Sequence, residues 1–248
     1  MHFNRYTGPS LAFVLLLASP VALAQADGNP GYDRPGLGFT PSVLDTGDIM
    51  LEQGLPDLSH DDGLSNLDAD TLLRVGIGHA LELQAGTGWS WLDGHGQHAD
   101  GRADTSLAVK WAPVARGRFS WGLLGSVELT DGARAFRTPD RQYLLGASFN
   151  WDHDAGRSSG LYAELGGGNA SHQLLAINEG WQWSASVAVY AELGLQHAHN
   201  EGSGSMAGAG LVWNMSPRVQ WDISARHRLG GHVDQWQGGM GLAVYFGG

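Results

Sequence analysis

From Trp236 to Phe246 the chain alternates between two kinds of side chain. Met240, Leu242, Val244 and Phe246 fall on one face, and Gln237, Gly239, Gly241 and Ala243 fall on the other. A period of two marks a β-strand, because successive Cβ atoms point to opposite faces of a sheet. Segment 117–130 has the same form, with Phe119, Trp121, Leu123, Val127 and Leu129 set against Ser120, Gly122, Ser126, Glu128 and Thr130. Segment 218–230 repeats it, with Val219, Trp221, Ile223 and Ala225 against Gln220, Asp222, Ser224 and Arg226. One face is large and apolar; the other is small or polar. That pairing suits a wall with lipid outside and a polar lumen inside.

Twelve segments carry this character: 47–55, 69–78, 80–91, 102–112, 117–130, 139–152, 158–168, 171–178, 181–197, 204–215, 218–230 and 236–246. Segment 171–178 is the weakest, since Leu174, Leu175 and Ile177 break the alternation, and a count of ten is the alternative to twelve. The pattern predicts an all-β fold, an antiparallel transmembrane β-barrel of about 12 strands. Short connections are expected at Gly78-His79, Pro113 to Arg116, His153 to Arg157, Asn178 to Gly180 and Ser216-Pro217. Longer polar ones are expected at Pro56 to Asp68, Asp93 to Gly101 and Asp131 to Arg141. Outer-membrane barrels alternate short periplasmic turns with long outer loops in this phase. Trp111, Trp121, Trp151, Trp183, Trp213 and Trp221 flank the short turns, while Trp89, Trp91 and Trp236 sit at the other strand ends. Amphipathic rings favour both membrane–water interfaces, so two aromatic girdles are expected; a soluble sandwich has no reason to place Trp at one end of so many strands.

The first 24 residues read as a secretory signal peptide. Arg5 supplies the positive start, Leu11 to Ala18 the apolar run, and Ala22-Leu23-Ala24 the small-x-small cleavage pattern. Residues 25–46 form a Gly/Pro-rich lead-in without periodicity, to hang in the periplasm or tuck into the lumen, and 47–248 form the barrel. Cysteine is absent, so no disulfide closes the fold. A closed barrel does so by pairing every backbone donor and acceptor with a neighbour. Net charge is −11 with only 14 Lys and Arg, which argues against a nucleic-acid partner.

Some stretches resemble a known family. Arg34-Pro35-Gly36, Phe39, Pro41, Gly47, Glu52-Gln53-Gly54 and Leu55-Pro56 look like its opening; Leu73 to Gly78 with Glu82-Leu83 look like its second hairpin. Ser216-Pro217-Arg218, Gln220 and Asp222 look like its penultimate hairpin. The family is that of the phenol-degradation meta-pathway proteins. The resemblance implies an outer-membrane barrel described as a transporter, and it brings no catalytic residue set with it.

The chemistry is sparse. Ser59-His60 and Ser171-His172 are neighbours in sequence, so on a strand they point apart. No phosphate loop or His-Glu-x-x-His run occurs. Neither a catalytic residue nor a cofactor is expected. His95 and His98 in one predicted outer loop, and His197 and His199 in another, are weak metal candidates; soluble loop residues are the competing reading. The inward face carries Glu52, Arg74, Glu82, Asp104, Lys110, Glu128, Glu164, Tyr190, Glu192, Asp222, Arg226 and Arg228. Acids exceed bases there, and Leu72, Leu124, Leu144, Tyr162, Val212 and Tyr245 point the same way. The expectation is a bacterial outer-membrane channel passing a small solute, aromatic or hydrophobic, by passive diffusion through a narrow cation-leaning lumen. The alternatives are a structural or adhesion barrel whose His/Asp-rich outer loops bind a partner or metal, and an outer-membrane hydrolase. Expected partners are outer-membrane lipid and, during biogenesis, the barrel assembly machinery.

Overall fold

The computed structural model describes residues 29–168, 171–199 and 201–248; the signal segment 1–24 lies outside them. The strands are β1 (Ile49–Asp61), β2 (Leu64–Gly78), β3 (Leu81–Gly94), β4 (Gln97–Arg102), β5 (Ser106–Trp111), β6 (Phe119–Glu128) and β7 (Gln142–Asp152). They continue with β8 (Arg157–Gly167), β9 (His172–Gln182), β10 (Val187–Ala198), β11 (Gly202–Ser216), β12 (Val219–Gly231) and β13 (Trp236–Phe246). Each pairs antiparallel with its sequence neighbour, except that β4 and β5 both pair with β3. They run end to end with Ala103 to Thr105 between them, so together they fill one position in the wall. The wall is therefore a closed barrel of 12 positions. It closes where β1 meets β13, with Ile49 opposite Phe246 and Glu52 opposite Ala243.

Alternation follows from closure. On β10, Ala188, Tyr190 and Glu192 are buried, while Leu193 and Leu195 are exposed. Leu123, Leu145, Ile177, Ile223 and Met240 join them on the outside. Such an apolar band is stable only against hydrocarbon. The girdles bracket it. Trp111 stacks edge-on against Trp121 with centroids 5.1 Å apart, and Phe119 lies 5.1 Å from Trp151, all near the short turns. At the far end His227, on the outer face of β12, lies 4.2 Å from Trp236.

Three boundaries differ from the sequence reading. Pro56 to Asp68 is mostly strand: β1 and β2 run out to a two-residue turn at Asp62-Gly63, whose φ of 43° and 79° suit a type I′ hairpin. The register of β1 shifts against both neighbours between Gly54 and Asp57, which is a bulge at Leu55-Pro56. Proline has no N–H to give the ladder, and a bulge is where a strand tolerates it. Asp93 to Gly101 is likewise the end of a hairpin, turning at His95-Gly96. The turn expected at Asn178 to Gly180 lies instead at residues 183–186, because β9 continues to Gln182.

Candidate functional site: an occupied lumen

The lead-in enters the lumen. Tyr32, Asp33, Leu37, Phe39, Thr40 and Leu44 are all buried there. What holds them is a lattice of inward charges. Arg74 on β2 donates from Nε to Glu82 Oε1 at 2.7 Å, from Nη1 to Glu52 Oε1 at 2.7 Å, and from Nη1 to the Gly31 carbonyl at 3.1 Å. Lys110 on β5 donates to both Asp33 oxygens at 3.0 Å. Glu52 accepts from the backbone N–H groups of Asp33 and Arg34, each at 2.9 Å. Buried charge is tolerable only when paired and hydrogen-bonded, and here each of these groups is.

Further along the segment the wall supplies more anchors. Glu192 accepts from Leu37 N–H at 2.9 Å and pairs with Arg226 at 2.6 Å. Arg226 and Tyr190 donate to the Pro35 carbonyl at 2.8 and 3.1 Å. Glu82 accepts from Leu44 N–H at 3.0 Å. Arg34 forms the link to the closing seam. Its guanidinium donates to both oxygens of Asp57 at 2.9 and 3.0 Å and to the Met240 carbonyl at 3.2 Å, and its Nε lies 3.5 Å from Asp222. Gly239 and Gly241 make room: a Cβ at Gly239 would lie 1.6 Å from Asp57 Oδ1, and one at Gly241 2.2 Å from Arg34 Nε.

Apolar contacts complete the seating. Leu37 and Phe39 pack among Leu72, Leu124, Tyr162, Leu174 and Met206, with Phe39 edge-on to Tyr162 at 5.8 Å. Tyr32 and Leu44 pack against Met50, Ala243 and Tyr245. On the periplasmic side a cavity of about 870 Å³ opens between the segment and the short turns, bordered by Thr40 to Thr46, His79, Pro113, Asn150, Asn214 and Gln220.

Of the twelve inward residues named from the sequence, eleven are buried and Arg228 is half-buried, and they serve different contacts. Glu52, Arg74, Glu82, Lys110, Tyr190, Glu192, Asp222 and Arg226 meet the lead-in or its ion pairs. Asp104 accepts from Gly132 N–H at 2.6 Å and Thr138 N–H at 2.7 Å, pinning the outer loop 129–141. Within that loop Asp131 accepts from Thr105 N–H, and this bond holds its carboxyl down at about 2. Glu164 meets His172 at 2.9 Å, and Arg228 meets Asp61 at 2.9 Å near the outer mouth. Glu128 is buried without a hydrogen bond among the described residues.

The sequence reading missed Asp33 and Arg34, which lay in an aperiodic stretch, and Asp57, hidden past the bulge. Asp68 and Asp70 were readable: Asn66, Asp68, Asp70, Leu72 and Arg74 alternate on β2. The histidines do not gather. His98 meets Asp93 at 2.8 Å and His197 meets Ser203 at 2.8 Å, and no three metal-binding side chains group among the described residues.

The profile of the family described as "Putative MetA-pathway of phenol degradation" matches residues 32–246. The chain belongs to this family. No curated protein matches it. Among solved structures this phenol-degradation family member is similar to an outer membrane channel from Pseudomonas putida F1, at 11% identity and a TM-score of 0.69, covering 86% of this chain and 99% of that one. It is also similar to the KdgM porin, at 13% identity and a TM-score of 0.58, covering 81% and 99%. The NanC porin follows, at 11% identity and a TM-score of 0.54, covering 80% and 99%. These likenesses establish the fold. With the apolar band and the two girdles, they make this family member a bacterial outer-membrane β-barrel.

Proposed function

We propose that the protein is a channel for a small amphipathic solute, closed at rest by residues 29–46. The carrying observation is how that segment is held. Hydrogen bonds and ion pairs join it to the wall, and an 870 Å³ cavity lies beneath it. A barrel with a purely structural role would gain more from an apolar filling, since buried ion pairs return little net stability. Polar anchors instead allow exchange with water or with a polar solute. The domain limits belong to the same proposal: a signal peptide over 1–24, a lead-in over 25–46 of which residues 29–46 act as the plug, and the barrel over 47–248.

Side chains around the plug suit an amphipathic guest. Leu72, Leu124 and Leu174 offer apolar surface, and the excess of Asp and Glu over Lys and Arg favours cations. The second reading is a closed structural barrel, favoured by the apolar seating of Leu37 and Phe39 among Leu72, Leu124, Tyr162, Leu174 and Met206. A hydrolase has less support. Ser159 accepts or donates at 2.8 Å with His153, yet its hydroxyl bonds Glu179, so the carboxylate holds the serine rather than orienting the imidazole as a triad requires.

Planar-bilayer reversal potentials across a salt gradient test the channel. Step conductance with cation preference is expected once the plug is loosened. Folded protein that stays silent after residues 29–46 are deleted overturns the channel and promotes the structural barrel; anion preference overturns the cation-leaning lumen.

A further inference from the structure

The closing seam carries more carboxyl groups than the plug's one guanidinium pairs with. Asp57 on β1 pairs directly across the ladder with Asp68 on β2. Facing residues on adjacent strands hold their Cβ atoms about 5 Å apart, and like charges so placed repel. Asp70 lies within electrostatic reach of Asp57, Asp68 and Arg34. Asp222 completes the group through its 3.5 Å approach to Arg34. Four carboxyl groups thus gather about Arg34, with Arg226 the next cation in reach of Asp57.

Part of the acceptor capacity of the group is unspent. Asp222, which is fully buried, has Arg34 and Gln220 beside it, but neither of its oxygens accepts a hydrogen bond of good geometry. Asn66, 5% exposed, gives its amide to Asp68 while its own Oδ1 accepts nothing, and the Ser90 hydroxyl opposite Asp68 makes no bond of good geometry to Asp68 Oδ1. Asp70 has no hydrogen bond or ion pair for its carboxylate among the described residues. Burying acceptors unpaired costs free energy, so the arrangement is complete only with a donor-rich partner. Asp68 and Asp70 are half-buried. Bare metal is a poor fit, since no three such side chains converge to hold an ion. The resident occupant shows what does fit: a planar guanidinium, donating to Asp57 through two parallel N–H groups.

We infer that Asp57, Asp68, Asp70 and Asp222 form a binding site for an organic cation, a protonated amine or guanidine on a small apolar body, and that Arg34 of the plug is its intramolecular competitor. This names the solute class of the channel proposed above and rests on that reading for its role in passage. Leu72 adjoins Asp70 on the inner face of β2 and gives the apolar body a surface. A solute held by Asp68 and Asp70 stands beside the Arg34–Asp57 pair. By taking the Asp57 oxygens it would release Arg34, and with it the plug.

Calorimetric titration of the mature chain, folded in non-ionic detergent at fixed ionic strength, separates binding from passage. The probes are n-butylguanidinium and its neutral isostere n-butylurea. Saturable binding of the guanidinium alone is expected. Asp70→Asn and, as the second variant, Asp68→Asn should each weaken it about tenfold, the worth of one charge-assisted hydrogen bond. Arg34→Ala should tighten it, which a merely structural arginine would not do. Heat-modifiable gel mobility confirms that each variant is folded. No saturable binding, equal binding of the urea, or unchanged affinity in both aspartate variants overturns the inference. Binding without flux of butylguanidinium into Arg34→Ala proteoliposomes leaves the site standing and overturns only the channel.

Discussion

Replacing Arg34 by alanine should open the barrel. The side chain is 13% exposed and makes three hydrogen bonds, two of them to Asp57 and one to the Met240 carbonyl released at the β1 bulge. Its loss leaves Asp222, fully buried, without its ion-pair partner, and Asp57, 30% exposed, turned to water. Breaking a buried pair by removing one partner costs about 3–5 kcal/mol. Partial exposure of Asp57 reduces this, so about 2–3 kcal/mol is the expected loss in docking of the plug. At 1.36 kcal/mol per decade the undocked population rises roughly 30- to 150-fold. The cost falls on the plug rather than the wall, because the β1–β13 ladder is made by backbone pairs on either side of the bulge. Single-channel recording in planar bilayers reads the result as open probability. Arg34→Lys keeps the charge but not the two-pronged geometry and should fall between. An Arg34→Ala protein that is folded by gel mobility, yet shows the wild-type open probability, refutes the reasoning.

Three further outcomes are expected. Gly239→Ala should mimic Arg34→Ala in conductance, since its Cβ would lie 1.6 Å from Asp57 Oδ1 and force that carboxylate off Arg34; wild-type recordings from it would count against the seam as the anchor. Leu123→Arg, on the lipid face, should lose about 2–4 kcal/mol of folding stability in lipid, whereas Ser126→Arg, on the lumen face, should fold nearly as well; equal tolerance in a urea titration would contradict the inward and outward assignment. The loop 129–141 should loosen only in strong acid. Asp131 titrates at about 2 when folded, below its unfolded value, so the stability it adds is full above the ordinary carboxylate range and is lost as pH falls through about 2. Hydrogen exchange of that loop at pH 5 and at pH 2 tests this, and equal protection at both values would exclude the Thr105 contact as the pin.

Period-two alternation was enough to establish a barrel and its inside and outside. Most inward residues of 218–230 and 236–246 are small or polar beside large apolar outward neighbours, because lipid and lumen are opposite solvents on two faces of one strand. Tryptophan at the strand ends likewise followed from local chemistry meeting an interface. The extent of β1 was hidden at Pro56, where the bulge shifts the alternation by one residue and a strand reads as a loop. Asp62-Gly63 carried a hairpin signal that would have extended it, since both positions need positive φ. Occupancy of the lumen was beyond local reading altogether. Residues 29–46 have no period because they contact the wall from many sides, through Glu52, Lys110, Glu192 and Arg226, which lie far apart in the chain. Alternation reports which way a side chain points; only closure of the barrel decides what it meets there. Arg34, Asp57 and Asp222 become one site because the first and last strands pair, and that is a property of the ring rather than of any segment within it.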